Sequence, residues 1–566
     1  MVSWTILGEH GLALALICGC VSLPGLALLA ILRLNVSWAT APLLGIVYWT
    51  VSLYLLPFAH GLDVAIALSI VLVLAGTWIE GLPSRHESSW TTLTLLLGSL
   101  PYASTLLFHY VPFGMDGSMH TTAATLIARA GGLPTTHAPF ADDVPFPPMN
   151  LGLPTVAAVA IRLGADPASA MLACHHLTFT SLILASYVLL TCWTDRATSA
   201  LLSVATVWMA RASQASLEWG GFPTVLSIAV GLLAGRLLFK HADGANWRLS
   251  LATGAAVMSI PLVHGIGGGT WLYCVAPWIT AATMMRSRAK AATVRGLFLT
   301  VVVAAVILMM YRSAGLMDVT SHDLNWTHDW QRRAAPLSDP IVLGAFEYVR
   351  KDAGSMLVVA GWIACGMLAV QRQWLSAMLV SGAWLTLAIV VANSQWWVMP
   401  ASFLLYPERT IYWAGPLSAV GLALAWRAVP TFVNPPKVVG ISLAIGMLIL
   451  AGYCHNQYYQ RIVRSDFINE DGWEALAWAK QNLRPGRDFV HAPYGSTGAF
   501  LPGLAHVGCT GAHHHHFVAR AVEASMSRRK ATHMLVDRSH APDQDIPRGR
   551  IVFSKGSILI VAVASP

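Results

Sequence analysis

The chain has 566 residues, 55% of them hydrophobic and only 11% charged, with a mean hydropathy of +0.59. Soluble domains carry about 25% charged residues, so a water-soluble fold is excluded and the chain reads as an integral membrane protein. The net charge of +8 is spread over loops, with no basic stripe interleaved with aromatics, which excludes nucleic-acid binding.

Apolar runs of the roughly 20 residues that cross a bilayer recur from the N-terminus to Cys454, and they number about 14. The first lacks a basic leader and reads as a retained span rather than a cleaved signal. The sequence therefore predicts a polytopic α-helical membrane protein of about 13–14 transmembrane helices over residues 1–453. Six of the eight cysteines, Cys18, Cys20, Cys174, Cys192, Cys274 and Cys365, lie in or beside these runs as small hydrophobes. Cys454 and Cys509 could both face an oxidising compartment, which leaves a disulfide open.

With the N-terminus outside, alternate junctions fall at Arg33, Arg85, Arg196, Lys240–Arg248, Arg286–Arg295, Arg372 and Arg427–Lys437. Each is basic, as the inner loops of a membrane protein are. The opposite junctions then collect the chemically capable segments on the extracytoplasmic face, chiefly residues 113–150, 313–352 and 395–409.

The first of these, FGMDGSMHTTAATLIARAGGLPTTHAPFADDVPFPP, leaves one span and returns to the next. Asp116 stands at the membrane edge, where a carboxylate can act as general base on a substrate whose other half is a lipid, or simply cap a helix. His120 follows one helical turn later, placed to touch a phosphate oxygen or orient the acid. Asp142 and Asp143 form an acid pair that would bind an acceptor hydroxyl or a cation, or lie solvated.

Further along, SLEWGG and VHGIGGG put Glu218 and His264 at span ends, lining a cavity or closing a helix contact. The loop from Leu316 to Pro336 carries His322 among several acids, and Arg332–Arg333; no spacing there specifies a metal. In LLYPERTIYWAG, Glu408 and Arg409 enter a span from outside. A guanidinium suits a phosphate leaving group, and an interfacial arginine paired with its glutamate is the plainer alternative. There is no nucleotide-binding loop, nucleophile elbow or HExxH.

After Cys454 the composition changes to that of a small α/β domain, residues 454–566, placed outside. Asp471 to Leu483 predicts an amphipathic helix, RDFVHAPY a strand, Phe517 to Arg529 a second helix and ATHMLVD another strand. A final hairpin turns at Lys555–Gly556. The internal run His513–His516 receives no role.

The acid-bearing segment, the Pro-rich stretch and GLPTVAAVAIRLG that follow it, YPERTIYWAG, and the tail DGWEALAWAKQNL…VHAPYGSTGAFLPGLA together resemble the GT-C superfamily of polytopic, polyprenyl-phosphate-dependent glycosyltransferases. The likeness covers about half the chain in short, loose motifs. One departure is that about three spans precede the span that leads into the acid loop, where many members have it directly after their first.

The resemblance implies an inverting membrane glycosyltransferase of a bacterial inner membrane, acting at the extracytoplasmic face. Asp116 would be the base. Arg409, helped by His120 or Arg332–Arg333, would stabilise the phosphate, and Asp142, Asp143, Glu218, His264, Glu408 and His322 would line the substrates. The donor would be a polyprenyl-phosphate-linked sugar and the acceptor a glycan, lipid or protein, with a divalent cation optional. A lipid-linked glycan flippase or other transporter is the rival of another class, which would place ionisable groups mid-span as at His175–His176. A polymerase using a pyrophosphate-linked donor and a non-catalytic envelope-assembly scaffold are the remaining readings.

Overall fold

A computed structural model describes residues 2–34, 36–80, 88–147, 150–210, 214, 216, 220–313, 355–371, 373, 376–377, 380–381, 384, 411–428, 437–464, 468–513, 522, 525 and 530–563. The architecture is the expected one, a bundle of apolar helices followed by a small α/β domain.

Four helical stretches come first: α1 (Trp4–Ile31), α2 (Ala41–Leu55), α3 (Gly61–Glu80), and α4 (Ser89–Ala103) running on into the single turn α5 (Thr105–Phe108). They are apolar all round, the signature of a helix that meets lipid or other helices on every side. Two further helices follow, α6 (Gly114–Ala130), which carries Asp116, and α7 (Gly152–Arg162). Between them β1 (Thr136–His137) and β2 (Ala141–Pro145) pair antiparallel.

The bundle continues with α8 (Pro167–Leu190), α9 (Arg196–Met209), α10 (Phe222–Lys240), α11 (Trp247–Val263), α12 (Gly265–Cys274), α13 (Ala276–Arg286) and α14 (Lys290–Ser313). Then come α15 (Ser355–Val370), α16 (Ala414–Ala428) and α17 (Lys437–Arg464). Among the described residues, seven helical stretches are long and apolar enough to cross a membrane.

Burial sorts them. The spans of α8 and α10 are 89% and 94% buried, so they form the axis of the bundle, with α1, α4, α7 and α9 packed on α8. In α3 and α14 only 22% is buried. Their exposed Leu68, Ile70, Val71, Leu74, Phe298, Val301 and Met309 form an apolar surface that water would not tolerate and that lipid covers.

The two ends of the bundle differ in chemistry. At one end Arg286 donates to the Cys192 carbonyl at 3.2 Å and pairs with Asp243 at 3.3 Å, close to Lys240 and Arg196. At the other end lie Asp116 and the C-terminal domain. The basic junctions predicted around residues 192–196, 240–248 and 286–295 thus share one end, and the acid loop takes the opposite one.

The helix α17 runs unbroken to Arg464, so the junction read at 453/454 falls inside a helix. Cys454 and Cys509 are both free, one on this helix and the other buried in the tail, so the disulfide left open by the sequence is not formed. Beyond it, α18 (Glu470–Asn482), β3 (Phe489–His491), α19 (Leu501–Ala505), β4 (Gly508–Cys509), β5 (His533–Asp537), β6 (Arg550–Lys555) and β7 (Ile558–Ala562) make the small domain.

Its sheet has the order β4-β3-β5-β7-β6, parallel across β4, β3 and β5 and antiparallel across β5, β7 and β6. The first helix, the β3 and β5 strands and the closing hairpin stand where the sequence put them. The strand β4 and the turn of helix before it were not foreseen, being too short to show a period. The helix predicted over Phe517 to Arg529 lies largely outside the described residues.

Candidate functional site

Helix α6 is where the two parts of the molecule meet. It begins directly after Phe113 with Asp116 in its first turn, where the exposed N–H groups of a helix start favour a negative charge. It ends at Gly131, which takes the left-handed conformation (φ +65°) that a side chain would resist. The Gly131 carbonyl accepts from Leu62 N–H at 2.7 Å, which ties the end of α6 to the start of α3. Nearby, Arg162 grips Asp63 through two hydrogen bonds of 2.8 and 3.0 Å, tying α7 to the same point.

The other side of α6 is covered by the C-terminal domain. Thr125 donates to the Gly503 carbonyl at 2.9 Å, and Tyr110 stacks on Trp473 of α18 with ring centroids 5.8 Å apart. Lys480 reaches Asp166, the residue capping α8, at 3.4 Å. Val111 and Met115 pack into the apolar core of the domain. The acid loop is therefore clamped between the bundle and the tail.

At the head of α6, Asp116 is half-buried, and its Oδ1 lies 3.2 Å from Nε2 of His513. The Nδ1 of the same ring lies 2.7 Å from the Tyr494 hydroxyl. Against the opposite side sits Gly220 at φ +92°, where a Cβ would come within 2.5 Å of Gly117 N and 2.9 Å of the Asp116 Cβ. Only a glycine in that left-handed conformation lets the chain at position 220 approach the acid so closely.

A small cleft of about 30 Å³, open at its mouth, runs along α6 from this point. His120, His137, Asn150 and His513 supply its polar groups, with Met119, Phe146 and Leu151 among its apolar ones. Burial pushes the His120 imidazole down to about 4, against a smaller opposing pull from Asp116. At neutral pH His120 is therefore uncharged and offers a hydrogen bond rather than a positive charge.

Of the residues singled out in the sequence, Asp116 and His120 lie about one turn apart on α6. Asp142 and Asp143 lie exposed on β2 rather than on the cleft wall, and the Asp143 carboxylate accepts a hydrogen bond from Ser525 of the tail. His264 sits behind the cleft as the cap of α12. Its Nδ1 accepts from Gly267 N–H at 3.2 Å and its Nε2 lies 3.3 Å from the Thr224 hydroxyl. The next residue, Gly265, donates to the cleft-lining Asn150 at 2.9 Å. Glu218, His322, Arg332, Arg333, Glu408 and Arg409 lie outside the described residues.

Among the described residues, no three His, Cys, Asp or Glu side chains converge as a metal site would require. On α8, His175 is buried and stacked against Phe222, with the half-buried His176 beside it.

The sequence reading missed His513, Tyr494, His137 and Asn150. The run of four histidines was visible, but nothing in a homopolymeric run tells which ring faces inward.

No family model matches the chain, and no curated protein does. Among solved structures it is similar to the Archaeoglobus fulgidus oligosaccharyltransferase tethered to an acceptor peptide via a disulfide bond, with 12% identity over 80% of this chain and 69% of that one, TM-score 0.45. The apo form of that enzyme matches with 12% identity over 80% and 70% of the two chains, TM-score 0.45. The archaeal oligosaccharyltransferase AglB from the same organism, in complex with an inhibitory peptide and a dolichol-phosphate, matches with 12% identity over 81% and 70%, TM-score 0.38.

Proposed function

We propose that this chain is an inverting membrane glycosyltransferase that moves a sugar from a polyprenyl-phosphate donor to an acceptor of the cell envelope, at the extracytoplasmic face of a bacterial inner membrane. The observation that carries the reading is the placing of Asp116. It is a half-buried carboxylate in the first turn of a helix at one end of an apolar bundle, beside an open cleft. A lipid-linked donor would reach such a position from the bilayer and a polar acceptor from water.

In the proposed reaction Asp116 takes the proton of an acceptor hydroxyl as its oxygen attacks the anomeric carbon. The new C–O bond forms on the face opposite the leaving group. The bond to the phosphate oxygen breaks, and polyprenyl phosphate departs with the electron pair, so configuration inverts. His120, neutral at the cleft wall, offers a hydrogen bond to the phosphate, and Arg409 is assigned its charge. Fixing both substrates at the membrane edge supplies proximity.

The test is sugar transfer by the full chain reconstituted with radiolabelled polyprenyl-phosphate sugars, wild type against Asp116→Asn. Loss of the general base is expected to lower turnover by about 10²- to 10⁴-fold in a protein of unchanged melting temperature. Equal turnover in the two proteins would remove Asp116 from the chemistry.

A further inference from the structure

Asp116 and His513 belong to opposite ends of the chain, and their contact does more than join two domains. We propose that the C-terminal domain completes the catalytic site. In this assignment, which rests on the transferase reading above, His513 is a positioning residue that holds the Asp116 carboxylate, and Tyr494 holds His513.

Nε2 of His513 faces the Asp116 Oδ1 across 3.2 Å, the distance of an ion-pair contact, and an ionised carboxylate accepts only from a nitrogen that carries hydrogen. The Nδ1 of the same ring lies 2.7 Å from the Tyr494 hydroxyl, which holds the ring in that orientation. These two contacts give His513 the means to fix the plane and direction of the Asp116 carboxylate.

Its own support is built for that. The Tyr494 turn is closed by the Ser496 hydroxyl, which donates to the Pro493 carbonyl at 2.8 Å. Thr497 N–H and its hydroxyl donate to the buried carboxylate of Asp537 on β5 at 3.1 and 2.9 Å. A Cβ on Gly495 would lie 3.4 Å from the sulfur of Met115, the residue before the acid. The turn that carries Tyr494 is thus anchored to the sheet of the tail, and His513 beside it reaches the acid of the bundle. His513 is only 13% exposed, so solvent does little to loosen the contact.

A domain staple and a positioning residue differ in what they change. The experiment measures turnover and donor KM of the reconstituted full chain for wild type, His513→Ala, His513→Gln and Tyr494→Phe, with melting temperatures alongside. A misdirected base costs rate rather than donor affinity, so His513→Ala is expected to lower kcat by about 10- to 100-fold with donor KM within about twofold of wild type.

Glutamine places an amide N–H close to where Nε2–H stood, so His513→Gln is expected to recover kcat to within about fivefold of wild type. Tyr494→Phe is expected to cost about threefold to tenfold, and His513→Ala to have no further effect in an Asp116→Asn background. If His513→Ala does not fold, the Gln and Phe variants carry the same comparison.

Wild-type kcat in His513→Ala overturns the positioning role and leaves the transferase reading standing. So does a His513→Gln as slow as His513→Ala at unchanged melting temperature. A wild-type chain inert toward every lipid-linked sugar overturns the transferase reading itself, and the positioning role with it.

Discussion

His120 shows how burial decides what a side chain can contribute. The residue is legible in the sequence as an imidazole one turn after an acid, placed to touch a phosphate oxygen or orient the acid. Burial holds it neutral by pushing its pKa from 6.5 to about 4. The sign of the linked stability follows, because the folded state resists a proton that the unfolded state accepts. The stability associated with this group is fully present above about pH 6.5 and is lost as pH falls toward 4.

At pH 5 the loss is on the order of 2 kcal/mol. His137, His506 and His533 are also held down by burial and add to it. His120→Gln is expected to melt with a visibly smaller drop between pH 7 and pH 5 than wild type. Identical drops in the two proteins would mean that His120 titrates in the fold as it does in the unfolded chain.

Among the elements, the head of α6 is held by contacts of very different worth. Gly220 stands at φ +92° with its Cβ position occupied by backbone of α6. Gly220→Ala therefore meets both a backbone penalty and a clash, and is expected to cost about 2 to 4 kcal/mol and to displace the acid. Thermal unfolding and sugar transfer should fall together, and a variant that melts like wild type would show that the segment relaxes freely.

The Arg162–Asp63 pair presents the opposite case, with side chains 41% and 32% exposed. Water screens it, so Asp63→Asn is expected to change stability by about 1 kcal/mol or less despite two well-formed hydrogen bonds. Element-level reading of the sequence worked where a period or a cap was long enough to see. Examples are the amphipathic helix of the tail, the β5 strand and the hairpin at Lys555–Gly556. It failed for β4, which is two residues long and exists only because β3 offers it an edge.

For the molecule as a whole, the two ends of the bundle set a test of orientation. Arg288 is exposed at the end that gathers Arg286, Lys240 and Arg196, and Asp543 is exposed in the tail at the other. In intact cells, a membrane-impermeant thiol reagent is expected to label Asp543→Cys directly and Arg288→Cys only after the membrane is opened. The reverse pattern would turn the chain over and put the cleft on the inner side.

The amino-acid sequence by itself determined the class of the protein, its spans and the segment that carries the acid. Hydropathy and helix caps are local properties, and a bilayer rewards them wherever they occur along the chain. The tertiary structure alone decided which groups stand around Asp116. Gly220, His513 and Tyr494 are brought there by packing between segments about one hundred to four hundred residues apart, and no local pattern in a glycine pair or a run of histidines encodes that distance.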